Sequence, residues 1–323
     1  MAQSILSLLA RLKGLGRSPE VQPAAPPEVQ AAAPVPIEAP PAPPAPPAPL
    51  TPPANLGATG YPTRVAYLGD HTALALLHGT YLIYVDTRGI DIAPHLMMHG
   101  DWETDDLRLF AQMIHPGDTV LDVGAHLGVY TLVGAAATGP EGRVHSFEPN
   151  PRLAQLQRQS VEVNGFSGRA TVHEAAVGSA EGIAELVFSD QWAGGGHLSI
   201  SRQEGKGQRV RVVALDDLFP DPAFRIDVMK MDVEGTEGHA LTGMQGILAR
   251  SHAARIMMEF APQMMASQGF AAPKVLRFLA DLGFAFWNIG PGGMLEPASL
   301  ESLAALRGGV RNIVASRTPP LPG

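Results

Sequence analysis

Short apolar runs alternate with longer amphipathic stretches through the middle of the chain. The runs Thr119–Val123, Arg143–Phe147 and Ala170–His173 predict short buried strands, and the stretches between them, Tyr130–Ala137 and Arg152–Asn164, predict helices. Strands and helices that alternate at this spacing indicate right-handed βαβ units and a parallel sheet. Ligands of such sheets bind at the C-terminal ends of the strands.

The pattern continues toward the C-terminus. Ile226–Met231 and Ile256–Met258 predict a fourth and a fifth strand, and Arg311–Ala315 predicts the closing strand. Between the third and fourth strands, Ser189–Gln208 is long and rich in glycine, which predicts a loop where a substrate lid would lie. We therefore expect one folded domain over residues 61–317, followed by a short tail at 318–323.

Two segments of different character precede this domain. Apolar residues recur at helical spacing in residues 1–17, which predicts an amphipathic helix. Residues 18–60 contain about half of the 30 prolines of the chain, and this composition predicts an extended, solvated linker. The helix has three interpretations: docking on a membrane surface, docking on a partner protein, or a frayed terminus without function.

Composition excludes several classes of protein. The chain has no cysteine, which excludes disulfides, cysteine-ligated metal clusters and a thiol nucleophile. The formal net charge of −8 argues against a general nucleic-acid binder. No apolar run approaches the ~20 residues that a membrane-spanning helix needs. We expect a cytoplasmic location, with membrane association through residues 1–17 as one of the interpretations above.

The loop after the first predicted strand carries the chemistry that selects a nucleotide. Gly124 and Gly128 have three residues between them, so the tight G-x-G-x-x-G spacing that fits a pyrophosphate is missing. Asp122 closes the first strand, where it repels a pyrophosphate and attracts a cation. Glu148 closes the second strand and can accept both hydroxyls of a ribose. S-adenosylmethionine has a ribose, a sulfonium, an ammonium and no phosphate, so these features favour it.

Five motifs in fixed order resemble the FkbM family of S-adenosylmethionine-dependent methyltransferases. They are GDWE at 100–103, DVGAHLGVYT at 122–131, FEPNP at 147–151, LDDL at 215–218 and KMDVEGTEGHAL at 230–241. The resemblance covers about Tyr81–Ser316, and the order and spacing of the motifs make it specific. It implies an α/β, Rossmann-like class I methyltransferase fold, with a mainly parallel seven-stranded sheet and helices on both faces. The chain departs from the family at His126, where the family usually has Asn.

The resemblance assigns donor-binding roles to the strand ends and to the loops that follow them. The residues it implicates are Asp122, Gly124, Ala125, His126 and Gly128 around the methionine part, Tyr130 and Thr131 at the start of the next helix, Glu148 on the ribose, Asn150 at its rim, and Ala176 and Val177 along the adenine. The N-terminal N–H groups of that helix can hold a carboxylate.

Carboxylates at the ends of the fourth and fifth strands are expected to converge near the transferred methyl group. Asp232, Glu234 and Glu259 are candidates for the general base that removes a proton from an acceptor hydroxyl, and Asp232 is preferred, as base or as anchor. Glu237 contacts the substrate in this interpretation. Glu234 and Glu237 are also well placed to cap a helix and to oppose its dipole. No recognised metal-ligand spacing is present.

Four further residues are expected on the acceptor side of the cleft. Trp102 and Glu103 border it, Trp192 can stack on the face of a sugar, and His197 is a second candidate for the base. A lone histidine on a loop is, however, more often simply solvated.

Together these features predict methyl transfer from S-adenosylmethionine to a hydroxyl of a carbohydrate, a surface glycan or a glycosylated natural product. Two alternatives stay open. One is a non-catalytic methyltransferase-like adaptor in a polysaccharide assembly. The other is an NAD(P)-linked sugar oxidoreductase, which the missing G-x-G-x-x-G spacing and the missing Tyr-x-x-x-Lys pair disfavour.

Overall fold

The computed structural model describes residues 64–189, 192–199 and 207–321, with side chains outside 188–206. The predicted helix at 1–17 and the predicted linker at 18–60 lie outside these ranges. Within them, no helix has the length and apolar character needed to cross a membrane.

The described chain begins with a small antiparallel sheet, followed by two helices. These elements are β1 (Ala66–Gly69), β2 (Thr72–Leu77), β3 (Tyr81–Asp86), α1 (Ile92–His99) and α2 (Thr104–Gln112). In β2, buried and partly exposed residues alternate, as they do in a strand with one face on a core.

The predicted βαβαβ unit is confirmed, with boundaries within two residues of those expected. It consists of β4 (Thr119–Val123), α3 (Val129–Ala137), β5 (Arg143–Phe147), α4 (Pro151–Val163) and β6 (Ala170–His173). β4 pairs in parallel with β5, and β5 pairs in parallel with β6. α4 also joins the small sheet to this unit, because Asn164 and Ser160 accept hydrogen bonds from backbone N–H groups of β3.

A second antiparallel sheet occupies the region between the third and fourth central strands. It is built from β7 (Ala176–Val177), β8 (Gly182–Ser189), β9 (Trp192–Ser199) and β10 (Gln208–Val213), in the order β7-β10-β8-β9. The prediction of a loop over Ser189–Gln208 is therefore wrong for its first half. β9 pairs antiparallel with β8, and this pairing satisfies backbone groups of a segment whose glycines by themselves indicate a loop.

The remaining elements complete the central sheet. They are α5 (Leu215–Leu218), β11 (Val228–Met231), α6 (Glu237–Thr242), α7 (Gln245–Arg250), β12 (Arg255–Phe260), α8 (Pro262–Ser267), α9 (Ala272–Asp281), β13 (Ala285–Ile289), β14 (Leu295–Ala298), α10 (Leu300–Ala304) and β15 (Arg311–Ser316). The strand order is β14-β13-β15-β12-β11-β4-β5-β6, and β15 runs antiparallel to both its neighbours.

The sheet has eight strands within the described ranges, where the resemblance implied seven. The additional strand is β14, which forms an antiparallel hairpin with β13 at the edge of the sheet. Its sequence contains a proline and a glutamate, which are unfavourable inside a sheet but tolerated at an edge. The α/β class and the mainly parallel arrangement are confirmed.

Both faces of the central sheet are covered by helices. Alternate residues of one strand therefore enter different apolar clusters: Val228 packs on the side of α2, α3 and α4, whereas Met229 and Met231 pack on the side of α6, α7 and α9. A strand buried on both faces is apolar throughout, which explains why the central strands appear as continuous runs in the sequence.

Candidate functional site

Two neighbouring cavities lie at the C-terminal ends of the central strands. The inner cavity, of about 40 Å³, is bordered by the loop after β4 and by the end of β11. The outer cavity, of about 320 Å³, lies between the turn before α1 and the first turn of α4. His126 and Leu127 line both, so these two side chains form the wall between them.

The loop between the cavities depends on two glycines in the left-handed conformation. Gly124 has a φ of +83°, and a Cβ atom there would lie 1.7 Å from the carbonyl oxygen of Asp232. Gly128 has a φ of +88°, and a Cβ atom there would lie 2.6 Å from the side chain of Gln157. Only glycine fits both the conformation and the space, so the loop lies tightly on β11 on one side and on α4 on the other.

Asp122 ends a chain of buried hydrogen bonds that joins four elements, β5, α4, α3 and β4. Ser146 donates to the Gln157 carbonyl (2.8 Å), Gln157 donates to the Thr131 hydroxyl (3.0 Å), and Thr131 donates to the Asp122 carboxylate (2.6 Å). Burial raises the pKa of Asp122 to about 6, against the lowering effects of the Thr131 hydrogen bond and of Lys230. The chain fixes one carboxylate at the floor of the inner cavity.

Glu148 joins the two loops that follow β4 and β5. One oxygen accepts a hydrogen bond from the His126 N–H (2.8 Å), and the other accepts from the Asn150 N–H (2.7 Å). Burial raises the pKa of Glu148 to about 7, although these two hydrogen bonds lower it. Each carboxylate oxygen keeps a further lone pair, so the group can still accept hydrogen bonds from a diol. The Asn150 side chain caps α4 by accepting from Arg152 N–H.

A buried lysine lies opposite Asp122 in the inner cavity. Lys230 is 2% exposed, its ammonium lies 2.8 Å from Asp232 and 5.0 Å from the ring centroid of Tyr130. Tyr130 in turn donates to Glu103 (2.8 Å). Burial alone lowers the pKa of Lys230, but Asp232 and Glu103 outweigh burial and raise it, so the lysine is charged.

The charges that line the inner cavity do not balance. Glu103, Asp122 and Asp232 face a single cation, Lys230. Because the surroundings are largely buried, this excess of negative charge is only weakly screened. The inner cavity is therefore built for a ligand that carries positive charge.

A group of carboxylates continues from Asp232 along the ends of β11 and β12. Burial, together with Asp232 and Glu237, raises the pKa of Glu234 to about 7. Burial, Asp232 and Glu234 raise the pKa of Glu259 to about 9, so Glu259 is protonated at neutral pH and is unsuited to act as a base. Within the described residues the carboxylate of Glu234 forms neither a hydrogen bond nor an ion pair, whereas Asp232 is held by Lys230.

Glu237 supports the turn before α6. Its carboxylate accepts from the N–H groups of Gly235 (3.2 Å) and Val233 (3.4 Å), and the residue is fully buried. This is the structural role that the sequence offered as the alternative, and contact with a substrate would require the turn to open. Glu234 precedes the helix, with a φ of +54°.

Three non-glycine residues around the inner cavity have left-handed backbone conformations. They are Glu103 (φ +45°), His126 (φ +51°) and Glu234 (φ +54°). Such conformations cost free energy and persist where the surrounding structure holds them, often at functional sites. In His126 the imidazole has no hydrogen-bond partner among the described residues, and its Nε2 lies 3.7 Å from an oxygen of Asp91. Burial lowers its pKa despite Asp91 and Asp232.

The structure places several other predicted site residues away from their expected positions. Trp102 and Glu103, expected on the acceptor side, line the inner cavity together with Ala125 and Tyr130. Ala176 and Val177 are buried in β7, paired with β10, and line neither cavity. Trp192 and His197 lie on β9, and their side chains fall outside the described part. Among the described residues no group of three or more potential metal ligands could hold an ion.

Sequence reasoning did not identify the contribution of Gln157 and Ser146. Gln157 lies on the buried side of α4, beside Leu153, Leu156 and Val161. A polar residue on an otherwise apolar helix face needs a buried partner, and this is the signal that points to it.

A family model, described as the methyltransferase FkbM domain, matches residues 122–286, about half of the chain. The matched region starts at Asp122 and contains the donor loop, Glu148 and the carboxylates after β11 and β12. The chain belongs to this family. S-adenosylmethionine is the cofactor of such methyltransferases.

Several known proteins are similar to this FkbM methyltransferase domain. The 31-O-demethyl-FK506 methyltransferase FkbM of Streptomyces tacrolimicus is 26% identical over 162 residues, which cover 41% of this chain and 61% of that protein. A protein-L-isoaspartate O-methyltransferase of Aeropyrum pernix is 41% identical over 63 residues, which cover 20% of this chain and 23% of that protein. The crystal structure of methyltransferase FkbM from Methylobacillus flagellatus has a TM-score of 0.37 and 17% identity, covering 61% of this chain and 43% of that one.

The chain spans less than two thirds of the length of each of the curated relatives it matches. The residues around the two cavities nevertheless fit S-adenosylmethionine. The excess negative charge of the inner cavity suits a sulfonium and an ammonium, and the missing Cβ of Gly124 brings the loop backbone close to β11. Glu148, which bonds to the backbone N–H groups of His126 and Asn150 on the lining of the outer cavity, keeps lone pairs for ribose hydroxyls.

Proposed function

We propose that this FkbM-type domain transfers a methyl group from S-adenosylmethionine to a hydroxyl oxygen of a carbohydrate or a glycosylated product. The observation that carries the proposal is the carboxylate of Glu234. It forms no hydrogen bond or ion pair within the described residues and has a pKa near 7. Glu234 follows Asp232, which lines the anionic inner cavity, by two positions in the chain. A general base works best when its pKa lies near the working pH.

The residues divide into those that hold the donor and those that handle the proton. Asp122 and Glu103 supply negative charge. Gly124 and Gly128 keep the donor loop close to β11 and α4. Glu148 accepts hydrogen bonds from the ribose hydroxyls. When bound, S-adenosylmethionine supplies an electrophilic methyl group on a sulfonium. Placement of the acceptor oxygen against such a carbon supplies much of the acceleration, up to ~7–11 kcal/mol in well-oriented systems.

The proton of the acceptor hydroxyl is assigned to a carboxylate oxygen of Glu234. Asp232, the residue preferred from the sequence, already has one carboxylate oxygen engaged by the Lys230 ammonium at 2.8 Å. Glu259 keeps its own proton at neutral pH. Of the three predicted bases with described side chains, Glu234 alone combines a near-neutral pKa with a carboxylate that is not engaged elsewhere within the described residues.

Support for oxygen as the acceptor atom comes from the relatives. The names of the Streptomyces tacrolimicus and Aeropyrum pernix proteins, 31-O-demethyl-FK506 methyltransferase and protein-L-isoaspartate O-methyltransferase, both refer to oxygen as the methylated atom. An alcohol oxygen needs a base to remove its proton, which agrees with the environment of Glu234.

The proposal is tested by incubating the protein with methyl-labelled S-adenosylmethionine and neutral glycans, followed by mass spectrometry of the sugars. We expect label in an O-methyl sugar. We expect Glu234→Gln to lower the rate of labelling at least about 100-fold, and Glu141→Gln, an exposed change elsewhere, to leave it unchanged. Label on nitrogen or on a carboxyl group would overturn the hydroxyl acceptor. Failure to bind the donor at all would favour the adaptor alternative.

A further inference from the structure

The two cavities beside the donor loop are separate, and the donor needs both of them. The inner cavity, of about 40 Å³, is far below the ~300–1,000 Å³ of small-ligand pockets, and the outer cavity, of about 320 Å³, lies at the lower end of that range. Glu148, which suits the ribose, accepts from backbone N–H groups on the lining of the outer cavity. Asp122 and Asp232, which suit the sulfonium and the ammonium, line the inner cavity. A ligand that reaches all three carboxylates must therefore cross the wall between the cavities.

The wall consists of His126 and Leu127, and these two side chains are held very differently. Leu127 is 1% exposed and belongs to the apolar core on the side of α2, α3 and α4, so moving it out of the wall would leave a void in the core. The His126 imidazole forms no hydrogen bond among the described residues, although both its ring nitrogens are buried. Because a buried polar group without a partner is unfavourable, this ring is the part of the wall that is least firmly held.

The imidazole ring lies between carboxylates of different cavities. Its Nε2 atom lies 3.7 Å from an oxygen of Asp91, which lines the outer cavity. Burial lowers the pKa of His126, whereas Asp91 and Asp232 both raise it, and Asp232 lines the inner cavity. The ring itself, and not just the backbone of His126, therefore separates the two cavities.

The backbone of His126 is fixed, in contrast to its side chain. Its N–H donates to Glu148 (2.8 Å), and its φ of +51° is left-handed. The two preceding residues of the loop, Gly124 and Ala125, donate their N–H groups to the carbonyl oxygen of Phe147. The wall can therefore open by rotation of the imidazole between staggered side-chain rotamers, with the loop backbone left in place.

We propose that the His126 imidazole is the gate of the donor site. In the closed state, which the structure shows, the ring divides the cleft. In the open state it rotates toward Asp91, its Nε2–H donates to the Asp91 carboxylate, and the two cavities become one space. Asp91 is anchored for this role, because it also accepts from the N–H of Ile92 (2.7 Å) at the start of α1. The open state gives the ring the hydrogen-bond partner that it lacks in the closed state.

The gate acts on ligands that span both cavities. Adenosine ends at the ribose and fills one cavity, so it does not need the gate to open. S-adenosylhomocysteine continues past the ribose to the sulfur and the amino acid, so it does need the open state, and its apparent affinity depends on how often that state is populated. The inference rests on donor binding and not on the hydroxyl acceptor of the proposed function, so methyl transfer to another atom would leave it intact.

The test compares these two ligands on the full chain. Binding of S-adenosylhomocysteine is followed by stopped-flow tryptophan fluorescence, since Trp102 lines the inner cavity. In the parent we expect the observed rate to level off as the ligand concentration rises, because opening of the gate precedes binding. In His126→Asn the rate should rise linearly, because the shorter side chain leaves the wall open, and asparagine tolerates a positive φ. The affinity for adenosine, measured by calorimetry, should be the same in both proteins within about twofold.

Two further variants separate the gate from a defect of the loop. His126→Phe keeps a ring but removes the N–H that donates to Asp91, so the limiting rate should fall about tenfold. An unchanged limiting rate in this variant would overturn the role of Asp91. His252→Asn changes an exposed histidine that lines neither of the two cavities, and it should behave as the parent does.

The kinetics of the parent decide the inference even without a variant. A linear rise of the rate with S-adenosylhomocysteine in the parent would overturn the gate. Equal losses of affinity for adenosine and S-adenosylhomocysteine in His126→Asn would also overturn it, because they would show a general defect of the loop. Failure of adenosine to bind the parent would contradict the outer cavity as the place of that part of the donor. A plateau in the parent that is missing in His126→Asn supports the gate even if no methyl transfer is found.

Discussion

The inner and outer cavities share a wall but have opposite electrostatic designs. In the inner cavity Glu103, Asp122 and Asp232 face Lys230 alone, and the excess charge is preserved by burial. In the outer cavity Asp86 is neutralised by Arg88 and Arg152. The difference teaches that one cleft can suit a cationic group and a neutral group side by side. Ion pairs cancel the charge of the outer cavity, whereas the inner cavity has more carboxylates than cations and stays negative.

The strongest way to break the inner cavity is to fill the space that Gly124 leaves open. Gly124→Ala places a methyl group against the Asp232 carbonyl at a φ of +83°, so we expect donor binding to fall more than about 100-fold, measured by calorimetry. Gly139→Ala is the matched control, because its φ is +71° but nothing lies within 4 Å. It should lose only about 1 kcal/mol of stability and bind the donor normally. Equal behaviour of the two variants would contradict the close approach of loop and β11.

The next largest effect is expected from Glu234. Glu234→Gln should lower kcat by a factor of roughly 10²–10⁴, with donor affinity little changed. In the parent protein the rate should rise with pH through about 7, because the base acts when it is deprotonated. This rise of the rate with pH should be missing in the Glu234→Gln variant. A full loss in Asp232→Asn with a normal Glu234→Gln would return the role of base to Asp232.

A smaller effect should sharpen the role of the buried hydrogen-bond chain below Asp122. Thr131→Val removes the hydroxyl that donates at 2.6 Å, and the loss should weaken donor binding about tenfold. The hydrogen bond lowers the pKa of Asp122, so without it the pKa rises from about 6 and binding should weaken at a higher pH than in the parent. Titrations between about pH 5 and pH 8 measure this shift. Thr131→Ser keeps the hydroxyl and should restore the parent profile, which a purely structural defect would not do.

The smallest effect concerns stability and the carboxylates beyond the inner cavity. The pKa of Glu259 is raised to about 9, so its contribution to stability is present at low pH and is lost as pH rises through that value. The effect of Glu259→Gln on the free energy of unfolding should therefore be more stabilising at high pH than at low pH, by about 1–2 kcal/mol. Thermal melts near pH 5 and pH 9 test this, with the exposed Glu301→Gln as control. The same change in Tm at both pH values would show that Glu259 is not forced to keep its proton.

The sequence was sufficient for the parallel half of the fold because βαβ units leave a regular apolar pattern. The strands Thr119–Val123 and Arg143–Phe147 were predicted to the residue. β14 and β9 were missed because an edge strand with proline and a strand with three glycines have no such pattern, although each pairs antiparallel with the strand directly before it in the chain.

The candidate site was predictable where one residue acts at a strand end and less so where several residues act together. Asp122, Gly124 and Glu148 stand where the motifs placed them. Our proposal of Glu234 in place of Asp232 could not be made from the sequence, because it depends on the 2.8 Å contact of Asp232 with Lys230. The hydrogen-bond chain through Gln157 joins residues from four elements, and the sequence gives no distance between them.

The most direct test of the central claim is a calorimetric titration of the full chain with S-adenosylmethionine and, separately, with NAD, at about pH 6.5 in two buffers of different ionisation enthalpy. The account predicts binding of S-adenosylmethionine but not of NAD. It also predicts proton release, because a cationic ligand favours the ionised forms of Asp122 and Glu148, and a reduced release in Glu148→Gln. Binding of NAD, or binding of S-adenosylmethionine with proton uptake, would contradict an anionic donor cavity.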